Sequence, residues 1–375
     1  MKISLYIHIP FCVRKCLYCD FLSGPYDSRV RFSYVKALCN ELSKRAELYK
    51  SDNVRSIFIG GGTPSTLSTD ELGLIMDTIH RCYLIDADAE ISMEVNPGTI
   101  DGIDKLKSLR KMGINRLSIG LQSAKNDELK LLGRIHTREE FERTYGMAVE
   151  AGFDNLNVDL ISGLPGQSAE DFKESLLYVT SLKPMPTHIS AYSLIVEEGT
   201  PFYDRFKESD LIDEDVDREI YKITNDILKA AGFHRYEISN YAQTSYECRH
   251  NKGYWTRNNY VGFGIGAASL YNHSRWKNTD DINAYIEADG ITEREEYQML
   301  SKEEEMSEFM FLGLRLTSGV SVSEFEAYFN CSMSDEYKAI IDKYIKMGLV
   351  KIDGDRVMLT EEGLNVSNVI MAEFI

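Results

Sequence analysis

The sequence predicts an α/β fold: a partial (β/α)6 TIM-like barrel followed by a C-terminal winged-helix-like helical domain. Three observations carry that expectation. Six short apolar runs alternate with helix-length amphipathic stretches over residues 1–200, the beat of βαβ units around a parallel sheet. Glycine-rich or polar clusters close four successive runs, at the strand ends where barrels keep their functional loops. Past residue 200 the beat stops, and from about residue 300 helices and a hairpin replace it.

Strands are expected at Ile3–Ile9, Val54–Ile59, Ile91–Val95, Leu117–Leu121, Leu156–Ile161 and His188–Val196, where β-branched and apolar residues crowd together. Helices fall between them at 31–49, 69–83, 101–112, 137–151 and 168–182. "GGGTP" (60–64), "EVNP" (94–97), "GLQS" (120–123) and "DLISGLPGQ" (159–167) end the second to fifth strands. One such cluster is often a plain turn, but four in register mark a common rim. A long helix at about 213–232 then leads to "HRYEISNYA" (234–242) and to the polar, aromatic-rich loop "CRHNKGYWTRNNYVGFGIGAASLY" (248–271). Helices at 302–315 and 335–348 flank "SVSEFEAYF", and the hairpin "LVKIDGDRVMLT" turns at Asp353-Gly354. The expected division is 1–200 for the barrel, 201–299 for a barrel extension and 300–375 for the winged-helix-like domain.

With 43% hydrophobic and 27% charged residues, the 375-residue chain is composed like a soluble globular protein. Its apolar runs are strand-length, far short of a membrane span. "MKISLYIHIP" lacks the features of a secretory signal, so cytoplasm is the expected location. A net charge of −17, with no basic run, argues against nucleic acid. Residues 301–375 carry 7 Lys/Arg against 14 Asp/Glu, a surface that a DNA backbone would repel despite the winged-helix pattern.

"FCVRKCLYCDFL" (11–22) places Cys12, Cys16 and Cys19 in one short loop after the first strand. Cys39, Cys82, Cys248 and Cys331 stand singly, unlike a disulfide framework. Zinc would ask for a fourth protein ligand, and nearby His8 lies within an alternating strand. A ferredoxin-type cluster would also take four thiolates. Three thiolates on a four-iron cluster leave one iron open to the donor atoms of a small molecule.

Cys-x3-Cys-x2-Cys, with Tyr18 before the last cysteine, resembles the signature of the radical S-adenosylmethionine (SAM) superfamily. The resemblance implies a [4Fe-4S] cluster on Cys12, Cys16 and Cys19. It also implies SAM on the open iron, reductive cleavage to a 5′-deoxyadenosyl radical, and an electron donor for the cluster. By the same resemblance Tyr6, in "YIHIPFC", and Tyr18 are expected at SAM, and Gly61, Gly62 and Thr63 meet its amino group through backbone atoms. Glu94 is similar to the carboxylate that contacts the ribose hydroxyls. Gln122, Arg134 (in "LLGRIHT") and Asp159 match further polar contacts, with Arg134 suited to the methionine carboxylate.

Within the superfamily the whole chain resembles two groups, including "LTEEGLNVSN" (359–368) near the C-terminus. One is the oxygen-independent coproporphyrinogen III oxidases, which decarboxylate two propionates. The other is the HemW haem-chaperone group, which binds haem and passes it to acceptor proteins. A radical SAM methyltransferase is a third reading. The oxidases resemble Cys-x3-Cys-x2-Cys-x-Cys, whereas Phe21 occupies the last place here, and "YCDF" is the form common to the chaperones. "HNKGYW" (250–255) matches the chaperones' His-Asn-x-x-Tyr-Trp pattern. That implies haem as cargo, with His250 as iron ligand and Tyr254 and Trp255 against the porphyrin face. Arg249, Lys252 and Arg257 are candidates for the propionates, and Cys248 is a weaker candidate for the iron. A haem-acceptor protein is the implied partner, with peripheral membrane contact through it, and the need for SAM cleavage is left open.

Overall fold

The computed structural model describes residues 1–207 and 212–375. Six strands form its centre: β1 (Lys2–Ile9), β2 (Asn53–Gly61), β3 (Leu84–Val95), β4 (Arg116–Gln122), β5 (Asn155–Ser162) and β6 (His188–Ser193). They pair in sequence order and in parallel, as the alternating pattern predicted. The helices between them are α1 (Ser28–Arg45), α2 (Thr69–Cys82), α3 (Ile103–Lys111), α4 (Asn126–Leu131), α5 (Arg138–Glu150) and α6 (Ala169–Ser181). Short α4 was not expected. Ser68, Thr137 and Ser168 start α2, α5 and α6 with capping boxes that satisfy orphan N–H groups.

The two faces of each strand are chemically distinct. Ile3, Leu5, Ile7 and Ile9 of β1 are fully buried in the main hydrophobic core, together with Leu38 and Leu42 of α1. Their neighbours Ser4, Tyr6 and His8 alternate with them and face the other way. Continued by Ser56, Phe58, Glu90, Ser92, Arg116, Ser118, Asn157 and His188, that other face gives the barrel a polar interior.

The sheet extends beyond the six strands. On one side lie β7 (His234–Arg235) and β8 (Asn240–Ala242), with β8 antiparallel to β6. On the other lie β9 (Tyr260–Phe263), β10 (Ala268–Tyr271), β11 (Ser274–Lys277) and β12 (Glu295–Met299), with β9 parallel to β1. The expectation of a polar loop over 248–271 is therefore corrected: it contains a helix, Arg249–Trp255, and two strands.

The C-terminal domain has the winged-helix pattern. Helices Lys302–Gly313, Val322–Phe329 and Met333–Lys346 surround a three-stranded sheet in which Val320–Ser321 pairs with the expected hairpin. Its own core includes Met310, Phe325, Tyr344 and Ile370, and Tyr221 and Ile238 of the barrel extension pack against it. Two short helices, Glu361–Asn365 and Ser367–Ala372, end the chain. Among the described residues no helix is long and apolar enough to cross a membrane.

Candidate functional site

The loop after β1 is pinned at both ends. Cys12 N donates to Gly24 O and Gly24 N to Pro10 O, each at 2.9 Å, and Leu17 N reaches Leu132 O at 3.1 Å. Cys12, Cys16 and Cys19 line one cavity of about 130 Å³ at the C-terminal ends of the strands. Cys39, Cys82, Cys248 and Cys331 lie elsewhere, as the spacing suggested.

The end of β2 lies backbone against backbone on this loop. Gly62 N donates to Ile9 O at 2.8 Å and Thr63 N to Phe11 O at 2.7 Å. A Cβ on Gly62 would stand 2.9 Å from both Ile9 O and Phe11 O, so glycine is required there. Gly61, at φ +110°, turns the chain, and Thr63 Oγ1 comes within 3.5 Å of Cys12 Sγ.

Glu94, at the end of β3, accepts a hydrogen bond from Gly61 N at 3.0 Å. Removed from bulk water and facing the Asp159 charge, its carboxyl is pushed up to about 7, with the Gly61 N–H partly opposing. Burial also raises Asp159, against hydrogen bonds from Ser118 Oγ at 2.9 Å and Asn157 Nδ2 at 2.7 Å. Gln122 follows a break in the β4–β5 register, holds a left-handed φ of 64°, and leaves its buried Oε1 without a partner among the described residues. A strained, under-satisfied side chain in a cavity wall suits a ligand donor.

Arg134 crosses the site. Its Nη2 donates to Asn96 Oδ1 at 2.7 Å and to Gly120 O at 3.3 Å, and its Nη1 approaches Cys16 Sγ at 3.5 Å. Asn96 in turn donates from Nδ2 to Thr63 Oγ1 at 2.7 Å, so one amide joins the glycine loop to the arginine. Asn96 was missed as a site residue although it lies within "EVNP", where the logic that selected Glu94 applies to it. Tyr192, from β6, also lines the cavity and was missed, because its strand ends without a glycine signal.

Tyr18 forms part of the wall, edge-on to Phe202 with ring centroids 6.4 Å apart. Phe21 stands at the rim, 60% exposed. Tyr6 departs from expectation. It does not reach the wall; its ring stacks on Phe58 and its hydroxyl meets His8 Nδ1 at 3.0 Å, one layer below.

The candidate haem ligand lies in a buried helix rather than on an open polar loop. His250 is 1% exposed, on the helix Arg249–Trp255 that closes the barrel interior towards the strands' N-terminal ends. Its Nδ1 pairs with Ser56 Oγ at 3.0 Å and its Nε2 with Tyr254 Oη at 2.9 Å, so both ring nitrogens have partners within the barrel. Burial pushes its pKa down to about 3. Tyr254 packs edge-on to Tyr260, and Trp255 lies under the Arg315 guanidinium at 4.2 Å. Glu90 caps the helix, accepting from Arg249 N at 3.0 Å, His250 N at 3.1 Å and Cys248 Sγ at 3.5 Å. The basic residues offered for propionates are already paired: Arg249 with Asp88, Lys252 with Glu247, and Arg257 with Glu305 and Glu308.

A parallel barrel with three loop cysteines, a glycine cradle and two carboxylates at one rim defines a radical SAM protein. Residues 6–179 match the Radical SAM superfamily and residues 300–366 the HemN C-terminal domain. The Escherichia coli coproporphyrinogen III oxidase HemN, described as a radical SAM enzyme, superposes with a TM-score of 0.87 at 25% identity over 99% of this chain and 89% of its own. "Heme chaperone HemW" of Bacillus subtilis is 35% identical over 378 residues, covering 99% of each chain. Its Escherichia coli namesake is 35% identical over 379 residues, covering 100% of this chain and 98% of its own. The chain belongs to the HemW family.

Proposed function

We propose that this protein holds a four-iron cluster on Cys12, Cys16 and Cys19, binds SAM beside it, and carries haem to an acceptor protein. The chemistry such a cluster supplies is one-electron reduction of the SAM sulfonium. The donor set suits it: three thiols of one loop share a cavity with the Gly61–Thr63 cradle. Gly61 and Gly62 give the methionine amino group close access to backbone. Glu94 and Asp159 supply acceptors for ribose hydroxyls. Arg134, held by Asn96 beside Cys16, places positive charge where a ligand carboxylate is expected. Gln122 offers its unpartnered Oε1, and Tyr18 screens the site from water. An electron donor and a haem acceptor, both proteins outside this chain, complete the scheme, and the cytoplasm is its setting.

The observation that carries haem delivery over porphyrinogen oxidation is the end-to-end similarity to proteins named as haem chaperones. Phe21, at the cavity rim in place of the oxidases' extra cysteine, supports the same side. The test uses anaerobically reconstituted protein, titrated with haem and, separately, incubated with coproporphyrinogen III, SAM and a reductant. Stoichiometric haem binding without decarboxylated product is expected. Multiple turnovers to protoporphyrinogen would establish the oxidase instead.

A further inference from the structure

Asp159 is one end of a line of buried polar groups that runs through the barrel interior to Cys248, at the start of the helix Arg249–Trp255. Ser118 Oγ donates to its Oδ2 at 2.9 Å and Asn157 Nδ2 to its Oδ1 at 2.7 Å. Asn157 Oδ1 lies 2.6 Å from His188 Nδ1, and His188 Nε2 lies 2.8 Å from Tyr236 Oη. Tyr236 Oη accepts in turn from Cys248 N at 3.3 Å. His188 is buried and stands beside Asn157 in the register of β5 and β6. We propose that His188, acting through Asn157, fixes Asp159 as an acceptor facing the cofactor cavity and is a positioning residue for SAM. The inference rests on the SAM reading of Asp159 above and deepens it with residues that do not line that cavity.

The direction of each proton in this line follows from its two ends. A carboxylate only accepts, so the Asn157 amide turns its NH2 towards Asp159; the reversed amide would set oxygen against oxygen. Asn157 Nδ2 also donates to Ser118 Oγ at 2.7 Å, which leaves the Ser118 proton for Asp159. The amide oxygen then faces Ser190 Oγ, which donates at 3.1 Å, and His188 Nδ1, so that nitrogen carries the ring proton. At the far end Tyr236 Oη takes the Cys248 N–H and gives its own proton to His188 Nε2, which selects the same tautomer. Burial, with the Arg116 and His234 charges, holds the ring neutral, so one nitrogen donates while the other accepts. Asp159 meets Ser118 and Asn157 with two of its acceptor positions and keeps the others for the cavity it lines. Burial favours its protonated form, and these donors favour the carboxylate. Without the Nδ1 proton the Asn157 amide is free to reverse, and Asp159 loses a donor that keeps it ionised and aimed.

Substitution separates the two ring nitrogens. His188→Asn keeps a donor at the Nδ1 position and loses the contact to Tyr236. His188→Gln keeps a polar group at the Nε2 position and more of the bulk, but lacks the donor to Asn157. SAM titrated into reconstituted, reduced full-length protein should bind about tenfold more weakly to His188→Gln, the effect of one lost hydrogen bond to a charged group. His188→Asn should stay within about threefold of the native affinity, although its larger void lowers its urea midpoint further. In an Asp159→Ala background, His188→Gln should weaken SAM binding no further, as expected for residues of one network. Both single variants should keep native iron content. Should His188→Gln not fold, Tyr236→Phe removes the proton that selects the tautomer and should lower SAM affinity severalfold; native affinity in it would overturn the proposal. Equal SAM affinities in His188→Asn and His188→Gln, or weaker binding by His188→Asn, would overturn it too, as would a full effect of His188→Gln without Asp159. Native SAM affinity in Asp159→Ala would instead overturn the SAM reading of that carboxylate, a distinct result.

Discussion

His250 Nδ1 lies 3.0 Å from Ser56 Oγ, joining residues 194 positions apart inside the barrel. Ser56 donates its own proton to Ser4 Oγ at 2.8 Å, so the histidine carries its proton on Nδ1 and accepts from Tyr254 on Nε2. The His-Asn-x-x-Tyr-Trp segment is thus built into the fold as a polar plug. A His250→Ala change would leave the Ser56 and Tyr254 hydroxyls without this partner in a small buried void. Stability should fall by about 2–4 kcal/mol, combining a lost buried polar partner with a cavity. Urea denaturation of the cluster-free protein measures this, and an unchanged midpoint would contradict the plug.

Acid should unfold the protein through its buried histidines. Burial pushes His136 and His250 down to about 3 and lowers His188 strongly. Unfolded histidines take up protons near pH 6.5, so between roughly 6.5 and 3 the unfolded chain binds more protons than the folded one. Their contribution is complete above about 6.5 and is lost as pH falls through that window. His250→Gln should flatten the pH dependence of the denaturation midpoint between pH 6.5 and 4. An identical slope in the variant would remove His250 from the set.

What the sequence showed and what it hid have a common physical origin. The six central strands carry alternating or near-continuous apolar runs because one face packs on helices, and that pattern is local. Strands β7 to β12 contain two to five residues each, and two of them join the central sheet through partners far along the chain, Tyr260 beside Ser4 and Tyr241 beside Ile189. No periodicity can register over such lengths. The burial of His250 was hidden for a related reason. Polar residues ordinarily mark a solvated loop, but the interior of this barrel is itself polar and offers Glu90, Ser56 and Tyr254 as partners. The cavity rim was legible residue by residue because each strand end bears its own signal. Tyr6 lies one layer too deep for that rule.

Glu94→Gln should separate stability from ligand binding. The carboxyl is raised to about 7 in the folded protein, above its ordinary value near 4.3 when unfolded. Between those values the folded state holds the extra proton, so the stability it contributes is complete below about 4.3 and fades as pH rises through 7. The glutamine variant lacks this loss. At pH 8 the cluster-free variant should denature at higher urea than the native protein, while SAM affinity falls about tenfold, worth roughly 1.4 kcal/mol. A variant less stable at pH 8 would show that Glu94 is not held at a cost.

Gly62→Ala should act on the cysteine loop without touching a cysteine. The added carbon would stand 2.9 Å from the Ile9 and Phe11 carbonyl oxygens, which are backbone and cannot turn aside. Phe11 directly precedes Cys12, so the strain falls on the cysteine loop. Iron retained after anaerobic reconstitution should drop well below the native amount, with the far-ultraviolet circular dichroism unchanged. Full iron content would mean that the loop can shift at little cost.

Asn96 is the residue whose loss should discriminate most sharply between cluster and SAM binding. It touches no thiol, yet its amide donates to Thr63 Oγ1 and accepts from Arg134 Nη2, each at 2.7 Å. Removing it frees the glycine loop on one side and the guanidinium on the other. Arg134 would keep its contacts to Gly120 O and Cys16 Sγ but lose the acceptor that fixes its orientation. Asn96→Ala should therefore retain native iron content and weaken SAM binding by about 1–3 kcal/mol, the usual consequence of removing a buried polar partner. Asn96→Asp should recover the acceptor for Arg134 but not the donor to Thr63, and should place an additional carboxylate near Glu94. Its affinity is expected between those of the native protein and the alanine variant, rising as pH is lowered and repulsion among the carboxylates is relieved. Isothermal titration of SAM into the three reduced proteins decides the matter, and equal affinities would show that Arg134 and Thr63 hold their positions without Asn96.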